Sequence, residues 1–443
     1  MLEFINKYLF GTAVPVLLIL SGIYFCFKLR FFHFRRFGKI VKVLTKRSDT
    51  GGTSPLKAVS LALAGTLGVG NIVGVSAAIA MGGFGAVFWM WISALCAMLL
   101  KYAEIVLAML YRSFDRDGSP HGSAMYYIKG CFDKLKLKRT GSVLAACFAL
   151  LCLLNSLTMG STVQMNAVGG ALAGVFGIPP ALSCGVLALI TLGVLLLGTK
   201  GILNFTEKLV PIMTFGYIIL SVAVFVMRAD RLDDAFIIIF KNAFSGEAAV
   251  SGIGGFLLSG ALRYGVMRGI VSNEAGCGTA PAAHAVSSCK EPAEQGVWGI
   301  FEVFADTLVL CTMTALVVII GYDGAIVHSG DFMMMTIAAY ASVLGKYASV
   351  FLAVSVLFFG FATVLCWAHY GMECATYFSR RPIMRKAFIA TYCAAVFAGA
   401  FISSDTMWQA TDLAVGGMTL INLCALLVMS GEIKRETLEF FDL

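Results

Sequence analysis

Residues 61–80, LALAGTLGVGNIVGVSAAIA, are apolar and long enough to cross a bilayer, yet Gly65, Gly68, Gly70, Gly74 and Asn71 crowd their middle. A spanning helix keeps its backbone paired, because lipid offers no hydrogen bond to a bare amide or carbonyl. Glycines around one buried amide side chain suit a helix that breaks at membrane depth. Such a break survives where it lines a protein-enclosed cavity, and its freed dipoles can then hold a small charged ligand. The same residues also suit a small-residue face for tight helix packing.

Composition sets the class in which that choice is made. Of 443 residues, 59% are hydrophobic and 13% charged, and mean hydropathy is +0.87. Soluble domains carry about 25% charged residues, so the chain reads as an all-α polytopic membrane protein. The first apolar run, 8–27, follows Lys7 and has no small-residue cleavage site after it. It reads as a retained span, with a signal peptide as the weaker alternative. The 13 cysteines lie mostly in apolar runs without a CxxC pair, as reduced packing residues do. His33, His121, His284, His328 and His369 are scattered without metal-ligand spacing, and no nucleophile elbow occurs. A membrane-embedded enzyme is disfavoured on that ground.

Eleven spans of the ~20 residues a bilayer needs are expected. They fall at 8–27, 57–80, 84–111, 142–173, 180–198, 206–227, 253–285, 296–320, 347–377, 387–403 and 408–429. Loop Lys and Arg residues cluster on one side, at 28–47, 112–139, 200–208, 380–386 and 434–435. The other side holds only Lys7, Arg228, Arg231, Lys241 and Lys346. The positive-inside rule then places the N-terminus outside and the C-terminus in the cytoplasm. This bias, with contact to anionic headgroups, accounts for the net charge of +8 and gives no argument for nucleic acid.

The seventh stretch is too irregular for one plain helix. Arg263 and Arg268 interrupt it, 272–278 (SNEAGCG) supplies glycines and polar groups, and Pro281 stands where a new helical half can begin. Two discontinuous segments five spans apart suggest two inverted repeats, 56–228 and 229–430. An extra N-terminal helix and basic loop (1–55) would precede them, and a cytoplasmic tail (431–443) would follow.

Several motifs now point one way. GTLGVGNIVGVSAAIAMGGFGAVFWMW (65–91), RYGVMRGIVSNEAGCGTAPAAHA (263–285), EQGVWGIFEVFADTLVLCTMTAL (294–316) and TVLCWAHYGMEC (363–374) occur in order. Together they resemble the alanine or glycine:cation symporter family, the sodium:alanine symporters, over residues 55 to 375. The resemblance implies a leucine-transporter-type fold of the APC superfamily, with a 5+5 inverted repeat. It implies import of a small neutral amino acid, alanine or glycine, across the plasma or inner membrane by alternating access. The co-transported ion would be sodium, with a proton as the alternative. A non-coupled amino-acid sensor or channel on the same fold is the competing function.

Residues can be assigned to that chemistry. The amides of Val69 and Gly70 suit the substrate carboxylate, and Gly68 and Gly70 let it approach the backbone closely. Segment 66–71, TLGVGN, is similar to the unwound stretch of the leucine transporter. That likeness implies sodium ligands at the carbonyls of Ala64, Thr66 and Leu67 and at the Asn71 side chain; the alternative for Asn71 is an interhelical hydrogen bond. Ser272 and Asn273 offer hydroxyl and amide groups to the substrate. Glu274 either accepts its ammonium or pairs with Arg263 or Arg268. Gln164, and less so Asn166, either orients the substrate or bonds across helices. Thr363 would complete a sodium site in this fold, and Trp367, one turn later, would wall the side-chain pocket. Ala362 stands where the family usually shows a second hydroxyl, which leaves the coupling ion open. Lys101 and Glu104 are expected to pair with each other, His284 to be a satisfied loop-proximal residue, and Trp89 and Trp91 to anchor at the outer interface.

Overall fold

The computed structural model describes residues 13–46, 52–115, 118, 120–244, 260–321, 332–402 and 404–442, with backbone alone at 404–406, 408 and 409. Lys7, residues 8–12 of the first apolar run, residues 252–259 of the seventh stretch and His328 lie outside the described residues.

Helices dominate, joined by a single two-stranded hairpin pairing Ser113 with His121 among the described residues. Among the described residues, six helices are long and apolar enough to cross a bilayer: Ala86–Tyr111, Lys138–Phe176, Gly198–Met227, Pro292–Gly321, Lys346–Phe378 and Ala410–Val428. Pro55–Thr66 and Gly70–Gly82, bent by 53°, together make a seventh. Val14–Lys28 and Pro180–Leu196 are shorter apolar helices. Gly260–Asn273 and Ala280–His284 flank the second expected break.

Local chemistry sets these boundaries. Ser54 accepts the amide of Lys57, and Pro55 opens the helix where its missing N–H costs nothing. Left-handed Gly177 closes the helix ending at Phe176, and Pro180 begins the next. Solvent-facing polarity is missing where lipid would lie: Leu189, Leu196, Ile212, Phe215, Ile219 and Val226 all point outward. The Ala86–Tyr111 helix is enclosed instead, with residues 97–109 buried without interruption. A helix apolar all round belongs to the centre of the bundle.

Some connections are more ordered than the sequence suggests. Ala124–Lys134, Leu232–Ala243, Phe332–Leu344 and Ser430–Phe441 are helices, each too short to register as a span. The C-terminal tail is therefore packed, with Ile433 and Phe441 buried and Tyr102 donating to Thr437 at 3.0 Å. The two tryptophans also bond to neighbouring helices. Trp89 donates to the Ala243 carbonyl at 3.1 Å and Trp91 to Thr312 Oγ1 at 2.7 Å, and their rings pack on Phe236, Phe240 and Phe244. They anchor one helix to another.

On the basic-rich side, His121 is clamped between Asp115 (2.8 Å) and Glu373 (3.1 Å), and Asp115 also binds Arg380. Hydrogen bonding to Glu373 leads in pushing the imidazole up to about 9. A raised folded-state value gives a contribution fully present below the unfolded pKa near 6.5. It is lost as pH rises through about 9. The apparent melting temperature of detergent-purified protein should accordingly fall between pH 7.5 and 10. The His121→Ala variant should start lower and show a flatter profile, and parallel curves would contradict the clamp.

Candidate functional site

The bend in the second span is an opened backbone. Leu67 leaves helical geometry (φ −75°, ψ 66°), and Gly70–Gly74 forms a wide π-helical turn before the helix resumes at Val75. Gln164 reaches across and accepts the amide of Val69 at 3.1 Å, while its own amide binds the Met159 carbonyl at 3.2 Å. Gln164 therefore satisfies one of the two amides expected to face the substrate. Gly68 is needed for this approach. A Cβ there would sit 2.6 Å from Thr363 Oγ1 and 3.2 Å from Gln164 Oε1.

The seventh stretch breaks at 274–279. Glu274 (φ 53°), Gly276 (φ 83°) and Gly278 (φ 78°) are left-handed, a conformation costly for a non-glycine residue unless its surroundings hold it. Here they do. Asn273 Oδ1 accepts the Ala275 amide at 3.0 Å, and Asn273 Nδ2 donates to Thr307 Oγ1 at 3.1 Å. Glu274 accepts from Trp367 Nε1 at 3.1 Å and from Thr279 at 2.7 Å, instead of pairing with Arg263 or Arg268.

Between the breaks stands a residue the sequence reading passed over. Asp306 is fully buried in a second π-helical turn, Phe304–Cys311. Its carboxylate accepts from Asn71 Nδ2 (2.7 Å), Ser272 (2.9 Å) and Thr307 (2.7 Å), joining both breaks at one point. No ion pair to it occurs among the described residues, and Asn71 Oδ1 has no partner among them either. A buried negative charge beside an orphan acceptor and hydroxyl oxygens is the donor set of a hard cation. An acid within an otherwise apolar span was the available signal.

A second oxygen cluster lies one turn below the first break. Thr363 Oγ1 is 2.9 Å from the Ala64 carbonyl and 3.0 Å from that of Phe359. One hydroxyl proton serves a single acceptor at a time, so this site gathers more oxygens than it can satisfy. The Thr66 hydroxyl turns back to Ala62 (3.4 Å) and its carbonyl accepts the Gly68 amide (2.8 Å). Ala362 is buried and adds no oxygen.

Trp367, Met159, Val271, Glu274, Thr279 and Met418 enclose a small void of about 10 Å³, room for one water. Trp367 lies flat against Gly160, where a Cβ would clash at 2.4 Å. Asn166 is elsewhere, donating to the carbonyls of Gly399 and Ile402 at the end of a neighbouring helix. The expected Lys101–Glu104 pair is not formed. Lys101 forms an ion pair with Glu302 at 3.1 Å, because the Pro292–Val303 helix packs against the Ala86–Tyr111 helix and brings that acid to it. His284, the last residue of its helix before the 285–291 connection, is fully buried and satisfied on both ring nitrogens, by the same Glu302 at 3.1 Å and by Gln295 at 2.8 Å.

The sodium:alanine symporter family matches residues 1–442. The chain belongs to that family. It is 35% identical to the sodium/alanine symporter AgcS of Methanococcus maripaludis, over 99% of this chain and 96% of that protein. It is 32% identical to the amino-acid carrier protein AlsT of Bacillus subtilis, over 97% of this chain and 88% of that one. Among solved structures it is similar to MhsT in complex with L-phenylalanine, with TM-score 0.53 and 15% identity, covering 89% of this chain and 99% of that one. The likeness shows the leucine-transporter fold. The protein is thus a multi-pass membrane transporter of this family, and not an enzyme.

Substituting Gly68 tests how tightly spans meet at the first break. Gly68→Ala should destabilise by about 1–3 kcal/mol, as overpacked cores do, seen as a lower apparent melting temperature. Gly74→Ala, with nothing within 4 Å of its new Cβ, should leave it near wild type.

Proposed function

We propose that this protein imports a small neutral amino acid, alanine or glycine, together with sodium. The carrying observation is the Asp306 carboxylate, buried without a basic partner among the described residues and shared between both helix breaks. Asn71 Oδ1, Ser272 and Asp306 hold one sodium ion. Thr363 with the carbonyls of Ala64, Leu67 and Phe359 holds a second, and Thr66 contributes through its backbone. Sodium is the cotransported ion, not a resident cofactor.

The substrate carboxylate lies against the backbone at Gly68, Val69 and Gly70, beside Asn71. Gln164 orients it by holding the neighbouring amide, and Ser272, Asn273 and Trp367 bound the rest. A cavity of about 470 Å³ on the basic-rich side reaches Ala368 and His369, next to Trp367, and supports release in that direction. The basic-rich side is cytoplasmic, so the N-terminus is outside and the protein sits in the plasma or inner membrane.

Eleven spans carry this cycle: one N-terminal helix, then repeats at 56–228 and 229–430, each opening with a broken helix. Alternating access moves the broken pair relative to the remaining bundle.

Thermal stabilisation of purified protein by alanine tests the reading. Stabilisation should require sodium and fail in potassium; equal stabilisation in both would refute coupling. Asp306→Ala should weaken apparent sodium affinity roughly 10–100-fold, the loss expected for about 1.5–3 kcal/mol of charge-assisted bonding. Size selection has its own check. Trp367→Ala should raise leucine binding relative to alanine, and an unchanged ratio would remove Trp367 from the pocket wall.

A further inference from the structure

Three carboxylates, Glu104, Glu274 and Glu302, are buried around Lys101. Lys101 Nζ and His284 Nε2 each lie 3.1 Å from a Glu302 oxygen, so both basic groups of the cluster are engaged by one acid. Glu104 is held differently. Its Oε1 accepts the amide of Gly278 at 2.8 Å and Asn422 Nδ2 at 2.5 Å, while Oε2 has no partner among the described residues. Asn422 also donates to the Gly276 carbonyl at 2.9 Å and accepts from Tyr127 at 2.5 Å. Glu104 and Asn422 therefore dock the break at 276–278 against the enclosed Ala86–Tyr111 helix.

That docking favours the ionised form of Glu104 relative to an undocked arrangement, without by itself outweighing burial. Two N–H donors stabilise an ionised carboxylate, and Lys101 one turn away adds to this. Opposing them are full burial and the facing acids Glu302 and Glu274. The remaining titratable neighbours are Cys277 from the break and Tyr127 from the Ala124–Lys134 helix, with His284 reaching the cluster through Glu302. When the break moves away, the Gly278 donor is withdrawn and Asn422 loses its second anchor. The facing acids and the apolar surroundings stay. An ionised carboxylate then keeps Asn422 and Lys101 but has lost one of its two donors, and protonation offsets that loss.

We propose that Glu104 is a proton-binding residue whose occupancy follows the docking of segment 276–278, so that a proton moves with each conformational cycle. The proton passes from water to the Glu104 carboxylate as the break undocks, forming the neutral acid, and returns to water on redocking. This rests on the alternating-access reading above, in which substrate binding repositions the break.

Isothermal titration of alanine into the purified protein at saturating sodium, in buffers of different ionisation enthalpy, measures the proton directly. The wild-type binding heat should vary with the buffer, with a slope of up to about one proton per bound alanine. Glu104→Gln keeps the acceptor and mimics the neutral acid; it should bind alanine with no buffer dependence. Asn422→Ala, which removes one donor, should shift the pH midpoint of proton exchange upward. Binding heat without buffer dependence in the wild type overturns the proposal, as does an unchanged slope in Glu104→Gln or an unmoved midpoint in Asn422→Ala. Wild-type protein that gives no alanine heat at all overturns the symport reading itself.

Discussion

The Asp306 carboxylate is the point on which the rest of the structure turns. It is enclosed at membrane depth, and its contacts come from two separately broken helices, through Asn71 and Ser272. A charge in such a place demands a counter-charge, and the described residues provide none at bonding distance. If a cation occupies this site, as proposed, the positions of the two breaks and that occupancy are one equilibrium. Any cation that binds Asp306 more tightly in one arrangement of the breaks shifts the protein toward that arrangement.

Broken backbone inside a membrane is tolerated only when its freed groups are covered, and each break is covered by at least one side chain from distant sequence, with Asn273 a local addition at the second. Gln164 takes the Val69 amide, Asn273 the Ala275 amide and Glu104 the Gly278 amide. These three residues are polar groups in apolar helices for a common reason: each replaces a lost intrahelical bond. The π-helical turns belong to the same arrangement. Gly70–Gly74 and Phe304–Cys311 carry Asn71 and Asp306, and Thr158–Val163 ends at Gln164. Widening the helix by one residue turns these side chains inward, and such turns recur at functional sites.

Much of this was legible in the chain. The glycines around Asn71 and the polar segment 272–278 marked both breaks, because Gly68 admits the close approach of Thr363 and Gly276 and Gly278 take left-handed backbone. Trp367 and Thr363, four residues apart, were placed together on one face by helical period alone. Asp306 was passed over because it sits in an ordinary apolar run, with no glycine or proline beside it to mark a π-helical turn. Lys101 was paired with the wrong acid because sequence neighbours at i, i+3 are visible, whereas Glu302 lies two hundred residues away. The bond from Trp89 to the Ala243 carbonyl, and the packing of Trp91 on Phe236 and Phe240, likewise join residues too far apart in the chain to be read from it.

Hydropathy, glycine placement and loop charge are properties of short segments, and so the sequence alone determined a helical membrane protein with two interrupted spans. Which freed amide met which side chain was left to tertiary structure. Those partnerships join residues far apart in the chain, and a buried charge is stabilised only by what the fold brings within about 3 Å of it.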